Sequence, residues 1–439
     1  MFILKNASVL QFHPPKFEND IDIIVDNGII IEVGQHLALK YKDNRDIRIM
    51  DLNNKIVTCG HVCAHTHCYS ILSRGLKVEL GLNPDFITIL KNLWWRLDRA
   101  ITKEILYYSA LISAIEAIFS GTTTLIDHHA SPKYIKNSLS VIGDAFEEVK
   151  IRGILAYEVT CRNNGLEEAK DGLDESVDFI NTINNKKQNL LAASIGGHAS
   201  FTLGDDALRL ISEALQKTKV GFHVHVAEDA FDVACTHHHY GLNIMKRFDN
   251  FGLINNMAIL AHGVHLANED IDIINKYDAF LIHNARSNMN NAVGYNKDLD
   301  KINNIALGTD GIGVNMFEEA KFAYFKAAEF HSNIGENLLK YLNMGNVLLE
   351  RYFKKPFGKI EKGYTADLII LDYLPPTSIT KDNILGHFIF GMSAKDVNSV
   401  IINGELVLEG GELNKNLNEI YLDAQKQAKI LWKRIEELN

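Results

Sequence analysis

The sequence predicts an α/β protein: a (β/α)8 barrel of the TIM type with a small β-sandwich domain built from both termini. Between about residues 57 and 350, short apolar runs alternate with longer segments of helical period, which is typical of successive βα units. Both flanks of this segment are rich in β-type runs instead. The length of 439 residues, with 46% hydrophobic residues, suits one barrel with a small appended domain.

The barrel prediction depends on counting the strands of the middle segment. Strands are predicted near 57–65, 122–127, 152–159, 190–197, 220–226, 257–261, 278–283 and 304–309. Segments of helical period, such as 102–119 and 317–330, lie between many of them. Eight alternating units of this kind favour a closed parallel barrel.

The termini carry the strands of the predicted small domain. N-terminal β-type runs occur at 2–10, 21–25 and 28–33, and C-terminal ones at 367–371, 398–402 and 405–408. Asp26-Asn27-Gly28 and Asn403-Gly404 supply hairpin turn signals between neighbouring runs. The predicted domains are a β-sandwich from 1–56 and 357–414, a barrel from 57–356, and a C-terminal surface helix from 415–439.

Composition narrows the possible partners. The formal net charge of −10 argues against binding nucleic acid or anionic membranes, because both need a concentrated basic face. A small uncharged or cationic substrate suits this charge better. The five cysteines (Cys59, Cys63, Cys68, Cys161 and Cys235) are odd in number and lack a framework spacing, so no disulfide is predicted. Without a signal peptide or a run of about 18 apolar residues, a cytoplasmic location is expected.

His65-Thr66-His67 is the first motif that indicates chemistry. Alternate residues of a strand point the same way, so two imidazoles can face one metal ion, although a bare H-x-H also arises by coincidence. Further polar residues follow the other predicted strands, namely His198, His225, Glu228, His262, His283, Asn284 and Asp310. Because the carboxyl ends of barrel strands meet at one mouth, these residues are expected to share an active site.

Three imidazoles and a carboxylate suit Zn²⁺ or Fe²⁺. The predicted ligands are His65, His67, His225 and Asp310, with zinc favoured over iron. Such an ion lowers the pKa of bound water from about 15.7 to about 7, which makes hydroxide available as the nucleophile. No lysine follows strand three or four, so one metal ion is favoured; Glu158 is the one candidate bridging carboxylate, and a structural role for it is favoured.

Two further residues have predicted catalytic roles beside Asp310. Glu228 follows His225 by three residues and is predicted to shuttle protons, although a solvated helix carboxylate is the alternative. His262 is predicted to polarise the attacked group or to orient water beside Asp310, with a satisfied core histidine as the alternative.

Other polar and aromatic residues have weaker signals. The predicted substrate contacts are His198, His283, Asn284, Arg286, Ser287 and Asn288, of which the last five form a segment whose alternative is a hydrogen-bonded loop. Trp94 and Trp95 either cover the mouth or anchor a helix, and the helix anchor is favoured. The run Cys235-Thr236-His237-His238-His239 resembles a metal tract, but a solvated helix face is favoured.

The ordered motifs resemble those of the amidohydrolase superfamily, in the branch of triazine hydrolases and guanine deaminases, with the strongest similarity to SsnA-type aminohydrolases. The motifs are AHTHCYSILSRG, LWWRLDRA, SGTTTLIDHHASP, HVHVAED, AHGVHL, HNARSNMNNAVG and GTDGIG, which together cover most of residues 60–315. The resemblance implies a single divalent metal at His65, His67, His225 and Asp310, catalytic Glu228 and His262, and a homodimer. Two departures, Cys59-Gly60-His61 for Pro-Gly and Asn284-Ala285 for Asn-Pro, leave the ligands untouched but alter the pocket.

Three functions are therefore compared. The leading one is an aminohydrolase, or deaminase, in which metal-bound hydroxide attacks a C–N bond of a purine-like amino-heterocycle and Glu228 moves the protons. The same site in a chlorohydrolase or a cyclic amidohydrolase is the second, because a metal activates water whatever group leaves. The third is a non-catalytic structural or interaction protein that retains the fold, which the complete ligand set disfavours.

Overall fold

The computed structural model describes residues 1–42, 44, 46–82, 84–186, 190–332 and 334–438. The strands in chain order are β1 (Phe2–Phe12), β2 (Pro15–Asp26), β3 (Ile29–Gly34), β4 (Arg48–Asp51), β5 (Ile56–Cys59), β6 (His61–Thr66), β7 (Thr122–His129), β8 (Arg152–Val159), β9 (Leu191–Ala193), β10 (Ile195–Ala199), β11 (Phe222–Val226), β12 (Ile259–His262), β13 (Phe280–His283), β14 (Ile305–Leu307), β15 (Leu368–Leu371), β16 (Val397–Ile402), β17 (Glu405–Glu409) and β18 (Glu412–Leu413).

The helices alternate with the central strands. In chain order they are α1 (Phe86–Ile89), α2 (Trp95–Ala100), α3 (Lys103–Phe119), α4 (Ser138–Val149), α5 (Gly165–Asn185), α6 (Asp205–Thr218), α7 (Ala230–Tyr240), α8 (Ile244–Asn250), α9 (Asn268–Lys276), α10 (Ala285–Asn290), α11 (Met316–Glu329), α12 (Ile334–Phe353), α13 (Ile384–Phe390) and α14 (Leu417–Glu437). Within the described ranges, no helix is both long and apolar enough to cross a bilayer.

The central strands form the predicted barrel. All of its pairings are parallel, in the order β14, β13, β12, β11, β10, β8, β7, β6, with β9 beside β8. A parallel bridge between Thr66 and Asp310 joins the first strand to the residues after the last. Every residue of β6, β7 and β8 is buried, as expected for strands covered on both faces. The (β/α)8 fold is thus confirmed.

Two strands of the barrel differ from the sequence prediction. The run predicted as one strand over 57–65 is two strands, β5 in the terminal sheet and β6 in the barrel, separated at Gly60. A Cβ on Gly60 would lie 2.1 Å from Oγ1 of Thr123, so the close approach of β7 requires glycine there. The run predicted over 190–197 is likewise divided, at Ser194, into β9 and β10.

The terminal strands form a separate sheet in the order β18, β17, β16, β15, β5, β1, β2, β3, with β4 also paired to β1. Hydrogen bonds join them into one continuous sheet, and the sheet has its own hydrophobic cluster, which includes Leu4, Ile23, Val57, Leu368 and Ile401. Strands from both ends of the chain pair directly, since β5 is antiparallel to β15. The prediction that strands from both termini form a separate β structure beside the barrel is confirmed.

Helix α14 lies against the barrel near its mouth. The indole Nε1 of Trp432 donates to the carbonyl of Leu72 at 2.8 Å, and Nε of Arg434 donates to the carbonyl of Ala100 at 2.7 Å. Leu431 and Ile435 are buried in this contact. The C-terminal helix therefore supports the segment that follows β6.

A buried ion pair connects the two sheets. Arg152, at the start of β8, donates from Nε and Nη2 to the two carboxylate oxygens of Asp367 at 2.9 and 3.0 Å. The two side chains are only 1% and 4% exposed. Asp367 also accepts the backbone N–H of Asn403 at 2.6 Å, so one carboxylate holds both the barrel and the terminal sheet.

Replacing Asp367 with alanine is expected to lower the free energy of unfolding by about 3–5 kcal/mol, because the buried guanidinium of Arg152 loses its ion pair with this carboxylate. Urea titration followed by circular dichroism measures this loss. Asp206→Ala is the matched control, since it removes the carboxylate of an exposed Arg209–Asp206 pair and should change stability little. Equal stability losses in the two variants would contradict the role of Asp367.

Candidate functional site

The carboxyl ends of the barrel strands gather a dense group of imidazoles and carboxylates. Its buried members are His65, His67, His128, Glu158, His223, His225, His262 and Asp310, with the partly buried Glu228 beside them. Six of the residues predicted to share one mouth lie in this group, namely His65, His67, His225, Glu228, His262 and Asp310.

Closure of the barrel places Asp310 beside the H-x-H motif. The backbone N–H groups of Thr309 and Asp310 donate to the carbonyl of His65 at 2.9 and 3.0 Å. Asp310 has a φ of 53°, in the left-handed region that non-glycine residues rarely adopt. Such backbone strain is found most often at functional sites. The turn directs the carboxylate toward the imidazoles of β6.

The four predicted metal ligands converge. Oδ1 of Asp310 lies 3.4 Å from Nε2 of His65 and 3.0 Å from Nε2 of His67. Nε2 of His67 lies 3.2 Å from Nε2 of His225. These atoms come from three separate strand ends. The ligand atoms of His65, His225 and Asp310, together with that of His262, all lie within 4.8 Å of one another.

The second nitrogen of each imidazole is already engaged, which orients the ring. Nδ1 of His67 donates to the carbonyl of His128 at 2.5 Å, Nδ1 of His225 donates to the carbonyl of His198 at 2.8 Å, and Nδ1 of His65 lies 2.8 Å from Nε2 of His223. Partners of this kind fix the tautomer of a metal-ligating histidine. Nε2 of His65 is buried and lacks a hydrogen-bond partner among the described residues, as suits an atom that binds a metal. The residues present thus fit a divalent metal.

The carboxylate of Asp310 is held in its charged form. Burial alone would raise its pKa, but the imidazoles of His65 and His67, at 3.4 and 3.0 Å, hold the pKa well below its usual range. Ser287 donates a short hydrogen bond from Oγ to Oδ2 of Asp310, which leaves Oδ1 toward the imidazoles. An ionised, oriented carboxylate is what a metal site needs.

Glu228 and His262 form a pair next to these ligands. Oε2 of Glu228 lies 3.7 Å from Nε2 of His262, and Nδ2 of Asn291 lies 3.4 Å from Oε1 of Glu228. Burial raises the pKa of Glu228 to about 7, against the lowering effect of His262. Nδ1 of His262 lies 2.9 Å from Oδ1 of Asn288, so its Nε2 faces the site. A carboxyl group with a pKa near neutrality can both accept and release a proton.

A cavity opens onto this group. His67, His225, Glu228 and Asp310 line one part of it. The remainder is lined largely by Tyr69, Trp94, Trp95, Glu158, Arg162 and His198. The cavity thus joins the proposed ligands to an aromatic and ionic wall suited to a small polar molecule.

The predicted substrate contacts are placed differently from one another. His198 lines the cavity, whereas Ser287 and Asn288 bond to Asp310 and His262. Arg286 pairs with Glu319 at 2.7 Å and with Glu318 at 2.8 Å, and it lines a different cavity. The expectation that Arg286 contacts the substrate is thereby corrected: its guanidinium is held by two carboxylates outside the described cavity wall.

His283 and Asn284 are also buried away from that wall. The side-chain amide of Asn284 has no hydrogen-bond partner among the described residues, and a Cβ on Gly308 would come within 2.5 Å of its Oδ1. His283 is 2% exposed, and burial lowers its pKa to about 4. His283 is the last residue of β13, and Asn284 follows it directly.

Trp94 and Trp95 both line the cavity, so the favoured role as a helix anchor does not describe them fully. The guanidinium of Arg162 lies 5.1 Å from the ring centre of Trp95, within range of a cation–π contact. The Cys235–His239 run lies on α7, and His237, His238 and His239 are exposed there, in agreement with the solvated face that the sequence favoured.

Four residues of the site were missed by the sequence reasoning. His128 is next to the last residue of the second barrel strand, and His223 precedes His225 by two residues, which repeats the H-x-H pattern of β6. Both residues could have been found from the sequence, by their position near a strand end or by the H-x-H pattern. Arg162 and Asp98 carried none, because they lie outside the strands and meet only in the folded chain, with Nη2 of Arg162 2.9 Å from Oδ2 of Asp98.

A (β/α)8 barrel with imidazoles and carboxylates converging at its mouth is the architecture of a barrel hydrolase. The sequence profile of the amidohydrolase family matches residues 56–407, and the chain belongs to that family. It is accordingly an enzyme that hydrolyses carbon–nitrogen bonds other than peptide bonds, and the predicted family is confirmed.

Known proteins are similar to this chain over nearly its whole length. A 5-methylthioadenosine/S-adenosylhomocysteine deaminase from Caldanaerobacter subterraneus subsp. tengcongensis is 27% identical over 444 residues, which covers 98% of each chain. An adenosine deaminase from Xanthomonas campestris, solved with bound zinc, superposes with a TM-score of 0.85 at 19% identity and covers 98% of each chain. An atrazine chlorohydrolase from Arthrobacter aurescens, complexed with zinc, has a TM-score of 0.81 at 19% identity and covers 98% of this chain and all of its own.

Proposed function

We propose that this protein hydrolyses an amino group from a purine-like heterocycle and releases ammonia. The observation that carries the proposal is the convergence of His65, His67, His225 and Asp310 beside Glu228 at one cavity. The deaminases of adenosine-type compounds among its relatives support a purine-like ring. The proposed substrate is a small molecule, and the net charge of −10 supports neither a nucleic-acid nor a membrane partner.

One divalent ion, zinc in preference to iron, is proposed for the site. His65, His67, His225 and Asp310 would hold it, and it would supply the Lewis acidity that makes water a nucleophile near neutral pH. Two of the groupings whose ligand atoms lie close enough for one ion are His65, His225, His262 and Asp310, and His67, His128, Glu158 and His225. Because Nδ1 of His67 and of His225 is engaged, each ring has only Nε2 left. The two groupings therefore compete, which favours a single ion.

Protons are handled by Glu228 and His262. The Glu228 carboxylate is proposed to take a proton from the attacking water and to return it to a ring nitrogen or to the leaving amine. A pKa of about 7 suits both transfers at neutral pH. Nε2 of His262 lacks a hydrogen-bond partner within the described part of the chain, so it is free to steady the group that develops charge.

Ammonia release tests the function. Purified protein is loaded with Zn²⁺ or Fe²⁺ and assayed against amino-purines, their nucleosides and aminopterins, with chloride release from a chlorotriazine and ring opening of a cyclic amide measured in parallel. Ammonia release from a purine-like compound is expected. Product formation only in the chloride or ring-opening assay would replace deamination by that reaction.

Metal removal is expected to lower kcat/KM at least about 100-fold, because the nucleophile depends on the ion. The measurement is activity before and after dialysis against a chelator, together with the metal content of the protein. Activity should return with one equivalent of Zn²⁺ or Fe²⁺. Full activity in metal-free protein would contradict the proposed chemistry, and a metal-free, inactive natural protein would favour the non-catalytic alternative.

The remaining parts of the proposal come from the sequence and the family resemblance. They are an SsnA-type relationship, a homodimer, a cytoplasmic location, and domains at 1–56 with 357–414, 57–356 and 415–439. Analytical ultracentrifugation would test the dimer, and limited proteolysis would test the domain limits.

A further inference from the structure

Glu158 is a buried carboxylate on the cavity wall that the proposed mechanism does not use. It lies next to the last residue of β8, and its side chain is 3% exposed. It lines the same cavity as Glu228 and Asp310, together with Arg162 and His198. A carboxylate in this position faces whatever molecule occupies the cavity.

The charges around Glu158 do not balance. Nη2 of Arg162 contacts both Oε1 of Glu158, at 3.1 Å, and Oδ2 of Asp98, at 2.9 Å. One guanidinium therefore faces two carboxylates, and one formal negative charge is left over. Burial raises the pKa of Glu158 to about 7 and that of Asp98 to about 6, although Arg162 opposes both shifts. Of these two carboxylates, only Glu158 lines the described cavity wall.

Hydrogen bonding at Glu158 is also incomplete. Its Oε1 accepts from Arg162, and Nε2 of His198 is 3.9 Å away, beyond hydrogen-bond range. The group nearest to Oε2 is Nδ1 of His128 at 3.5 Å, and none of the described residues donates a hydrogen bond to Oε2. An ionised carboxylate can accept about four hydrogen bonds, so Oε2 can accept a hydrogen bond from a molecule in the cavity. The Glu158 carboxylate can therefore accept a hydrogen bond from a donor on a bound molecule.

We infer that Glu158 is the specificity-determining residue that receives a hydrogen-bond donor, a hydroxyl or an ammonium group, on the substrate away from the reacting carbon. This inference rests on the proposed function and narrows its substrate class to amino-heterocycles with such a donor. An anionic substituent would meet the surplus negative charge and would be disfavoured. Arg162, stacked on Trp95, holds Glu158 in place and is a positioning residue.

The test measures binding of deamination products, so that it does not depend on turnover. Isothermal titration calorimetry compares inosine with 2′,3′-dideoxyinosine, and 5′-amino-5′-deoxyinosine with 5′-deoxyinosine, on the metal-loaded protein. The first pair differs in hydroxyl groups and the second in an ammonium group. Glu158→Gln and Glu158→Asp are the variants, because the second keeps the charge beside Arg162 but shortens the side chain. Glu175→Gln is the control: Glu175 is 6% exposed and accepts two backbone N–H groups outside the cavity.

In at least one pair the natural protein is expected to bind the donor-bearing ligand about 10- to 100-fold more tightly, the range of a hydrogen bond to a charged group. Glu158→Gln should remove most of this preference and Glu158→Asp part of it, with unchanged affinity for the ligand that lacks the donor and unchanged metal content. The pair that responds identifies the donor as hydroxyl or ammonium. Glu175→Gln should leave the preference intact.

Several outcomes would overturn the inference. They are equal loss of affinity for both members of a pair in Glu158→Gln, no preference in the natural protein, no binding of any of these ligands, or loss of metal from Glu158→Gln, which would instead make Glu158 a ligand. Ammonia release without any preference would reject only this inference. A clear preference without ammonia release would reject only the proposed reaction.

Discussion

Replacing Asp310 with asparagine is expected to remove the metal and to lower kcat/KM at least about 1000-fold, more than the 10–100-fold typical of residues that merely orient a ligand. Asparagine keeps the shape of the side chain but carries no charge. Oδ1 of Asp310 lies within 3.4 Å of Nε2 of both His65 and His67. An ion at this point would lose its anionic ligand. Metal analysis by mass spectrometry and steady-state kinetics on the identified substrate measure the two effects.

Asp270→Asn is the matched control for this variant. Asp270 is 4% exposed and accepts the backbone N–H groups of Met245 and Ala267 at 3.0 and 2.9 Å, outside the described cavity wall. This change should leave metal content and kcat/KM close to those of the natural protein. Circular dichroism establishes that both variants are folded. Full metal occupancy together with normal activity in Asp310→Asn would remove Asp310 from the ligand set.

Replacing Glu228 with glutamine is expected to lower kcat about 10²- to 10⁴-fold while the protein retains its metal, because the amide can neither accept nor release the transferred proton. Glu228 lines the cavity beside His225 and Asp310 but is not among the proposed ligands. Its raised pKa results from burial, so the group is poised for proton transfer near neutral pH. Kinetics and metal analysis of the same preparation separate this effect from ligand loss.

The neighbouring carboxylate provides the control. Asp229 precedes α7, and its side chain caps that helix by accepting the N–H of Phe231 at 2.8 Å. Asp229→Asn should cost at most about 1 kcal/mol of stability and should leave kcat within a few-fold of the natural value. A Glu228→Gln enzyme with undiminished kcat would exclude Glu228 as the proton shuttle, and a loss of metal in it would point to a ligand instead.

The local sequence pattern was sufficient to predict where several barrel strands end. The prediction of strands near 152–159 and 220–226 follows from apolar runs with β-branched residues, and the structure has β8 and β11 there. Because a parallel barrel brings all carboxyl ends to one side, this reading was enough to group His225 with His65. The grouping needed no distances, only the topology of the fold.

The apolar pattern could not show that the run at 57–65 is two strands, because its apolar character continues from the terminal sheet into the barrel. Cys59 and His61 belong to different sheets, and the break at Gly60 exists because Thr123 of a neighbouring strand lies against it. Arg286 likewise looked suited to bind substrate, but it is neutralised by Glu318 and Glu319 from α11. In both cases the deciding partner is far away in the sequence.

By itself the sequence determined the eight-fold alternation of strands and helices, the β character of both termini, and part of the group at the mouth, namely His65, His67, His225, His262 and Asp310. These features depend on local periodicity and on residue type. The tertiary structure alone decided that Glu158, Arg162 and Asp98 form one ionic cluster at the cavity, and that Ser287 and Asn288 contact Asp310 and His262. Such contacts depend on how strand ends and loops approach in space, and the interaction between charges depends on distance and burial, which a one-dimensional pattern does not contain.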